Sequence, residues 1–304
     1  GNAVDAIVAS TLVECVVQPH NIGLGGYPSS MNVYSARDDR VVAIDFGGAA
    51  TLAATPDMFP PHKCTDNWNI ESDGESFPPG LNECGGLCIT APPILAGLMM
   101  VLERYGTMSF ADVALAAQRL AEDGFIVYPV LAKALGLFAT YADRDSLLAM
   151  LPSGEVPMAG DVLVQKDLAA LIARLRAEGP EVFYRGDIPK TITDRVRSVG
   201  GILDETDFLA VSPRIEEPLS VCCGDYEIFT PAPPSGGLTA LQALKVMELA
   251  GLDVTDFGTP EYYRMFIDAA RIAWADRFDH FGDPTFVDVP IDWLLSDEHA
   301  RETY

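Results

Sequence analysis

The sequence predicts one layered domain that mixes α-helices with β-strands. The chain has 304 residues, of which 49% are hydrophobic, so it can bury a large core. Apolar residues recur at helical spacing in several long segments, and shorter apolar runs bounded by polar turns have the pattern of strands. No internal repeat or linker composition divides the chain. These observations favour a single domain over residues 1–304.

The first predicted elements are a helix and a hairpin. Small and apolar residues from Ala3 to about Val17 predict a helix that is buried on nearly all sides, and Pro19 ends it. Two strands are predicted next, at Met31–Tyr34 and Arg40–Phe46, with a polar turn at residues 37–39 between them.

An irregular segment and a short helix are predicted in the middle of the chain. The stretch from Asp57 to Leu87 is rich in proline and glycine, which indicates a long loop of the kind that is often functional. Ser109 and Asp112 then have the spacing of a capping box, which predicts a helix that reaches about Glu122 and is ended by Gly124.

A second helix is predicted near residue 170. Leu168, Leu171, Ile172 and Leu175 recur at intervals of three and four residues, and Gly179-Pro180 ends the helix. This apolar stripe is typical of a core-facing helix.

The last third of the chain predicts a strand and two further helices. The strand is Tyr226–Thr230, and residues 231–237 lead from it into a helix that ends near Gly251. Thr259-Pro260 opens the second helix. Its side chains expected to face the core are Tyr263, Phe266, Ile267, Ala270 and Trp274.

The charge of the chain argues against two classes of partner. There are 20 Lys and Arg residues against 44 Asp and Glu residues, a formal net charge of -24. Such a chain repels nucleic acid and anionic lipid. The apolar stretch Ile94–Leu102 is interrupted by Glu103 and Arg104, far short of the roughly 20 residues that a membrane span needs. The sequence therefore predicts a soluble protein without a nucleic-acid or membrane partner.

The cysteines indicate reduced, mostly buried thiols. Cys84 and Cys88 lack a second cysteine pair or a nearby histidine, so no zinc site is predicted. Adjacent Cys222 and Cys223 point to opposite faces if they lie on a strand. This usage favours the cytoplasm, although residues before Gly1 are expected and a secreted form stays open. No cofactor or metal site is predicted.

No complete catalytic group is visible in the sequence. Gly23-Leu24-Gly25-Gly26 follows a helix, so it does not fit a nucleotide-binding loop. Ser235 follows two prolines, which do not fit a nucleophile elbow, and a helix-capping role is expected. The histidines have no metal-ligand spacing, and the scattered carboxylates are interpreted as solvated or ion-paired. These residues are His20, His62, His280, His299, Asp45, Asp268, Asp276 and Asp283.

Eight short motifs occur in the same order as in the large subunit of γ-glutamyltranspeptidases, a family that this chain resembles from Gly1 to Tyr304. The motifs are Gly1-Asn2-Ala3-Val4-Asp5-Ala6, Gly23-Leu24-Gly25-Gly26, Ala43-Ile44-Asp45-Phe46, Tyr105-Gly106-Thr107-Met108, Asp123-Gly124-Phe125, Gly179-Pro180-Glu181-Val182-Phe183-Tyr184-Arg185-Gly186, Pro233-Pro234-Ser235-Gly236-Gly237 and Ala275-Asp276-Arg277.

The resemblance implies a fold and a mechanism. It implies an α+β fold, the four-layer αββα sandwich of N-terminal-nucleophile hydrolases, completed by a small subunit from the same precursor. In this family the precursor cuts itself, and the new N-terminal threonine of the small subunit is the nucleophile, with its own α-amino group as base. Tyr304 lies before the expected cleavage junction, so no catalytic residue is expected in this chain. The partner is the small subunit, in a heterodimer or a dimer of heterodimers.

The chain departs from the family at its substrate site. After Asp45 the family reads Phe-Arg-Glu, whereas this chain has Phe46, Gly47 and Gly48, which are the expected substrate-binding residues. The arginine of the family clamps the substrate carboxylate, and a glycine cannot replace its planar fork of donors. Residues 27–30 and Ala91-Pro92-Pro93 also depart from the family pattern.

The resemblance and the missing arginine together predict a hydrolase that forms an acyl-enzyme with a small molecule other than a simple γ-glutamyl amide. A carbon–carbon bond hydrolase of an alkylproline-type antibiotic pathway is a close alternative. An ordinary γ-glutamyltransferase or glutathione hydrolase is a further one, if an arginine near the long loop or on the small subunit supplies the clamp. A non-catalytic family member is the third.

Overall fold

The computed structural model describes residues 1–24, 26, 29–59, 82, 85–251 and 257–304. Most of the predicted irregular segment lies outside these residues, together with His62, Cys64, Cys84 and Tyr27-Pro28. The helices are α1 Ala3–Val17, α2 Ile94–Tyr105, α3 Phe110–Val113, α4 Leu115–Asp123, α5 Pro129–Tyr141, α6 Arg144–Met150, α7 Lys166–Glu178, α8 Asp187–Ser198, α9 Glu205–Ala210, α10 Gly237–Leu249, α11 Pro260–His280, α12 Ile291–Leu294 and α13 Asp297–Thr303, with 3-10 helices at Gly86–Cys88 and Pro180–Tyr184. The strands are β1 Ser29–Ser35, β2 Arg40–Phe46, β3 Phe125–Ile126, β4 Val162–Leu163, β5 Arg214–Glu216, β6 Leu219–Cys223 and β7 Tyr226–Thr230.

The chain divides into two compact units. One unit comprises Gly1–Ser29 and Gly48–Pro213, and the other comprises Ser30–Gly47 and Arg214–Tyr304. The prediction of one domain over residues 1–304 stays a prediction.

The first unit is mainly helical. Helix α1 packs against α2, α3 and α4, and α4 packs against α7. A separate apolar cluster joins α5 to the β3–β4 pair, and its buried members are Val127, Leu131, Leu135, Leu151 and Leu163.

Helix α1 has the predicted bounds but a different environment. Val8 and Leu12 lie on its buried side, as does Cys15, whereas Ile7 and Ser10 on the other side are solvent-accessible. The prediction of burial on nearly all sides was therefore wrong, because small apolar residues also tolerate the exposed side of a helix. Burial raises the pKa of the Cys15 thiol to about 12, and the nearby Glu14 charge adds to the effect, so this cysteine is a protonated core residue.

Asp5 holds the start of α1 against the turn that follows α2. Its carboxylate accepts hydrogen bonds from the Thr107 hydroxyl (2.6 Å), from the backbone N–H groups of Thr107 and Met108 (2.7 and 3.0 Å), and from the Asn2 N–H (2.6 Å). Asn2 caps the helix and donates to the Tyr105 carbonyl. The motif that begins at Gly1 and the motif Tyr105-Gly106-Thr107-Met108 thus contact each other in the folded chain.

The Asp5 contact has a predictable pH dependence. Burial by itself raises the pKa of Asp5, but the hydrogen bonds from Thr107, Met108 and Asn2 outweigh it and hold the pKa well below its ordinary value of 3.8. A carboxyl with a depressed pKa stabilises the fold above its unfolded pKa and loses that contribution as the pH falls. We expect Asp5→Asn to lower the thermal midpoint by more than about 5 °C at pH 7.

The control for this prediction is the same comparison at low pH. The gap between wild type and Asp5→Asn in thermal unfolding is expected to stay constant above about pH 5 and to narrow only below about pH 4. A gap that persists unchanged at pH 2.5 would mean that the ionised form of Asp5 is not what stabilises this contact.

The predicted helices of the first unit are present, and one is divided. Ser109 accepts the Asp112 N–H and caps α3, as expected, but the helix breaks at Ala114 before α4 continues to Asp123. Gly124 follows α4 with a φ of 87°, a conformation that favours glycine. Helix α7 is confirmed, and Gly179 ends it with a φ of 98°.

The second unit contains a three-stranded sheet in the order β1-β2-β5 and the β6–β7 hairpin. The predicted β1–β2 hairpin and β7 are confirmed, whereas β5 and β6 were not predicted. Cys222 and Cys223 lie on strand β6, and Cys222 is exposed, which contradicts the expectation of buried thiols at this position. Helix α10 packs against α11, α13 and the hairpin.

Helix α11 begins at Pro260 after the predicted cap, Thr259, but buries a different face from the predicted one. Its fully buried residues are Ala269 and Ala273. Four of the residues predicted to face the core are about half exposed: Tyr263 (52%), Phe266 (48%), Ile267 (54%) and Trp274 (51%). The prediction of an inward-facing stripe was wrong for this chain, because small alanines let α11 approach α10 closely on the adjacent face.

Candidate functional site

The predicted substrate-binding residues lie at the end of strand β2. Phe46 is the last residue of the strand and is buried, whereas Gly47 and Gly48 are exposed. Gly47 ends the first segment of the second unit, and Gly48 resumes the first unit. Asp45 and its hydrogen-bond partners Gly47 and Arg214 all belong to the second unit.

Asp45 organises the end of this strand. Its Oδ1 accepts the backbone N–H of Gly47 at 2.8 Å, which fixes the turn that leaves the sheet. Its Oδ2 accepts a hydrogen bond from Nη2 of Arg214, also at 2.8 Å. The Asp45 carboxylate therefore contacts both Gly47, where the family has its arginine, and Arg214, an arginine elsewhere in the chain.

Arg214 reaches this position from the neighbouring strand. In the antiparallel register of β2 and β5, Arg214 is directly opposite Asp45, so the two side chains share a face of the sheet. Nε of Arg214 lies 3.2 Å from Oε1 of Glu216, which is two residues further along the same face. The Arg214 side chain is about half exposed.

The carboxylates around Arg214 outnumber its single charge. The hydrogen bond with Asp45 raises the pKa of Arg214 above its ordinary value, burial opposes this rise, and the charges of Glu216, Asp45 and Asp283 add to it. The pKa of Asp283 is lowered, first by the backbone and side-chain hydrogen bonds from Thr285 and then by Arg214. Two carboxylates thus pair with this guanidinium and the charge of a third acts on it, so negative charge is in excess around Arg214.

Ser235 has a structural role. Its hydroxyl donates to the Pro231 carbonyl at 3.0 Å and lies 3.4 Å from the N–H of Gly237, the first residue of α10. The N-cap position itself belongs to Gly236 and receives no side-chain hydrogen bond, so the expected capping role is only partly met.

A buried histidine–aspartate pair lies elsewhere in the second unit. Nε2 of His299 is 2.6 Å from Oδ2 of Asp276, and Gln242 donates to the same oxygen. The Trp293 ring covers the imidazole at a centroid distance of 3.9 Å, and His299 is 3% exposed. The pair stabilises the packing of α10, α11 and α13 and is closed to a substrate.

Comparisons with known proteins agree with the family that the sequence motifs indicate. The sequence model of the family described as Gamma-glutamyltranspeptidase matches residues 1–304. The chain belongs to the gamma-glutamyltranspeptidase family.

Individual members of the gamma-glutamyltranspeptidase family match over nearly the whole chain. The chain is 34% identical over 307 residues to the glutathione hydrolase proenzyme of Bacillus subtilis (strain 168), covering 99% of this chain and 50% of that protein. It is equally 34% identical over 307 residues to the acylase ACY 1 proenzyme of Pseudomonas sp. (strain V22), covering 99% of this chain and 53% of that protein. The chain therefore spans about half the length of these curated relatives.

A solved family structure has the same fold. The crystal structure of Helicobacter pylori gamma-glutamyltranspeptidase superimposes with a TM-score of 0.89 at 30% identity, covering 99% of this chain and 84% of that one. This similarity confirms the predicted α+β class and the N-terminal-nucleophile hydrolase type.

Within this family member, position 47 has room for a side chain. A Cβ built on Gly47 would meet Oδ1 of Asp45 at 3.0 Å, and its next neighbours are other atoms of the same carboxylate at 3.9 and 4.0 Å. Gly47 has no positive φ. Neither packing nor backbone strain therefore requires glycine here.

The other departures from the family pattern are structural where the structure describes them. Pro92 and Pro93 are buried at the start of α2, where the Tyr184 hydroxyl donates to the Pro92 carbonyl at 2.9 Å and accepts the Ala96 N–H at 2.9 Å. This change lies in the core of the first unit. Tyr27 and Pro28 lie outside the described residues.

Arg214 was not predicted as a site residue. A replacement arginine was expected near the long loop or on the small subunit, whereas the only guanidinium hydrogen-bonded to Asp45 in the described part of the chain is on β5. The available signal was the alternation Arg214-Ile215-Glu216, which indicates a short strand with both charges on one face.

No group of three or more histidine, cysteine or carboxylate side chains within the described residues is arranged to hold a metal ion. No described helix combines the length and the apolar character that a bilayer crossing requires.

Proposed function

We propose that this chain is the large subunit of an N-terminal-nucleophile hydrolase that acts on an acyl group other than γ-glutamyl. The threonine hydroxyl of a small subunit attacks the substrate carbonyl, and its own α-amino group takes the proton. The leaving group departs with a proton to give an acyl-enzyme, and water releases the acid. Phe46, Gly47 and Gly48 form the part of the acyl pocket contributed by this chain.

The charge at the end of β2 carries this proposal. A γ-glutamyl donor has a free α-carboxylate, which a bidentate guanidinium binds well. Here Gly47 supplies no donor side chain, and Arg214 is already paired with Asp45 and Glu216. The carboxylate of a substrate would enter a region where negative charges are already in excess, so an acyl group without a free carboxylate fits better.

The names of the curated relatives support acyl transfer to water, but they do not indicate which acyl group this chain binds. The proenzyme named a glutathione hydrolase and the one named an acylase match this chain at the same 34% identity. The choice between them must come from residues at the site.

Arg214 itself favours a second candidate, an ordinary γ-glutamyltransferase. Asp45 accepts hydrogen bonds from both Gly47 and Arg214, so the Arg214 guanidinium lies close to position 47. An arginine has five N–H donors, more than the hydrogen bonds described for Arg214. Under this alternative, substrate binding displaces Asp45 or Glu216 from Arg214.

The first experiment is mass analysis and N-terminal sequencing of the purified full-length protein, followed by turnover of two p-nitroanilides. One anilide carries a γ-glutamyl group, and the other carries a neutral acyl group of the same length. We expect a second chain that begins with threonine, and a kcat/KM at least about ten-fold higher for the neutral anilide.

Each other outcome selects a different function. Strong γ-glutamyl turnover that falls about ten-fold or more in Arg214→Gln would establish the second candidate. Processing without turnover of either anilide would direct the assay to ketone substrates of the carbon–carbon hydrolase type, with product analysis. An uncut chain, or a small subunit without a nucleophilic first residue, would support a non-catalytic family member.

A further inference from the structure

The segment that follows Gly48 has little structure of its own. Residues 48–50 are exposed and belong to no helix or strand. Thr51 is buried, and the Ala54 N–H donates to its carbonyl at 2.9 Å, which closes a β-turn with Leu52 in its second position. The placement of this segment therefore depends on the contacts that the turn makes with the rest of the first unit.

Asp207 on helix α9 makes such a contact. Its Oδ1 accepts the backbone N–H of Leu52 at 2.7 Å, across 155 residues of sequence. Among the described residues, no other hydrogen bond joins the segment from Gly48 to Leu52 to another element of the chain. The Leu52 side chain is 70% exposed, so the turn is held through its backbone and not through packing of this side chain.

The Asp207 carboxylate has a fixed position in the fold. Asp207 is buried, and its Oδ2 accepts the N–H of Asp204, the residue that caps α9, at 2.7 Å. The next residue, Phe208, is fully buried, and its ring centroid lies 6.5 Å from that of Phe183. Hydrogen bonds to a carboxylate are stronger than those between neutral groups, so an immobile carboxylate restricts the turn at Leu52 effectively.

We infer that Asp207 is a positioning residue for the acyl pocket and acts on it through the turn at Leu52. Gly48 belongs to the proposed pocket, and four peptide units of extended chain span at most about 14 Å, so a fixed Leu52 restricts where Gly48 can lie. A pocket that is already ordered binds its ligand without the cost of ordering it. The inference rests on the proposed pocket, but it is the same for a neutral acyl group and for a γ-glutamyl group.

Two pairs of variants test this inference in the full-length protein. Leu52→Pro removes the N–H donor at a turn position that suits proline, whereas Leu52→Ala keeps the donor and shortens only an exposed side chain. Asp207→Ala removes the acceptor, whereas Asp204→Ala removes the cap of the same helix and leaves the acceptor for Leu52 in place. The substrate is whichever of the two anilides the wild type hydrolyses faster.

The expected effect is on substrate binding. Leu52→Pro and Asp207→Ala should raise KM about five- to twenty-fold and change kcat by less than about three-fold, because the substrate must then order the pocket. Leu52→Ala and Asp204→Ala should keep KM within about two-fold of the wild type. An equal rise in Asp204→Ala and Asp207→Ala would overturn the inference, since α9 would then act only through its stability. An unchanged KM in Leu52→Pro would overturn it as well.

Hydrogen exchange gives a second readout that does not need turnover. In a peptide that covers residues 47–54, the amides of Leu52→Pro and Asp207→Ala are expected to exchange at least about ten-fold faster than in the wild type, and those of the two controls at the wild-type rate. Wild-type exchange in Asp207→Ala would overturn the inference even in an active enzyme. Faster exchange in a protein that hydrolyses neither anilide would support positioning by Asp207 and contradict the proposed function.

Discussion

Replacing Gly47 with arginine is expected to raise kcat/KM for the γ-glutamyl anilide by about ten- to a hundred-fold. The new guanidinium restores a bidentate donor where a substrate carboxylate is expected. The substitution is sterically accessible, because among the described residues only Asp45 lies within 4 Å of the new Cβ, and its Oδ1 needs to move by only a few tenths of an ångström. The measurement is steady-state kinetics of the processed enzyme on both anilides.

Gly47→Gln is the matched control, because glutamine fills similar space without a positive charge. It is expected to give no gain with the γ-glutamyl anilide, and Gly47→Arg is expected to give no gain with the neutral one. If Gly47→Arg folds and is processed but gains nothing on the γ-glutamyl anilide, position 47 is not the determinant of carboxylate binding.

Replacing Gly237 with alanine is expected to destabilise the protein by about 2–3 kcal/mol. A Cβ on Gly237 would overlap Oγ1 of Thr230 and lie 2.6 Å from the Thr230 Cβ, closer than real Cβ atoms approach. Thr230 ends β7 and Gly237 begins α10, so relief of the overlap must separate the hairpin from the helix. Chemical denaturation of the full-length protein measures the loss.

Gly236→Ala is the matched control, since a Cβ at Gly236 meets no atom of the described residues within 4 Å and its φ of -74° suits alanine. It is expected to change the stability by less than about 0.5 kcal/mol. The double variant Thr230→Ala with Gly237→Ala should recover part of the loss, because the threonine branches are removed. Equal stability of Gly236→Ala and Gly237→Ala would contradict the close packing of Gly237 against Thr230.

The helices were predictable where local signals and packing agree. Helix α7 carries an apolar stripe and a glycine stop, and α1 is an apolar run that Pro19 ends, so their bounds follow from residues in or next to each segment. Strand β5 escaped prediction because it has only three residues, Arg214–Glu216, and exists through pairing with β2. The buried face of α11 could not be predicted either. Two of its faces are apolar, and the packing against α10 decides which of them is buried.

The site was predictable as a position along the chain but not as a set of contacts. The departure of Gly47 from the family motif identifies the end of β2 as the site from the sequence alone. The pairing of Asp45 with Arg214 joins residues 169 positions apart, and no local pattern specifies such a distance. The excess of negative charge around Arg214, on which the proposed function depends, therefore becomes visible only from the register of β2 and β5.

The β1-β2-β5 sheet sets an order for folding on the ribosome. Strand β2 leaves the ribosome early but gains its β5 neighbour only after about 170 further residues have been made, an interval of roughly 10–30 s at bacterial and eukaryotic synthesis rates. The intervening residues from Gly48 to Pro213 belong to the other unit and can collapse during that time. The apolar strand Val41-Val42-Ala43-Ile44 thus has an unpaired edge throughout that interval, and we expect chaperones to engage the nascent chain at this segment.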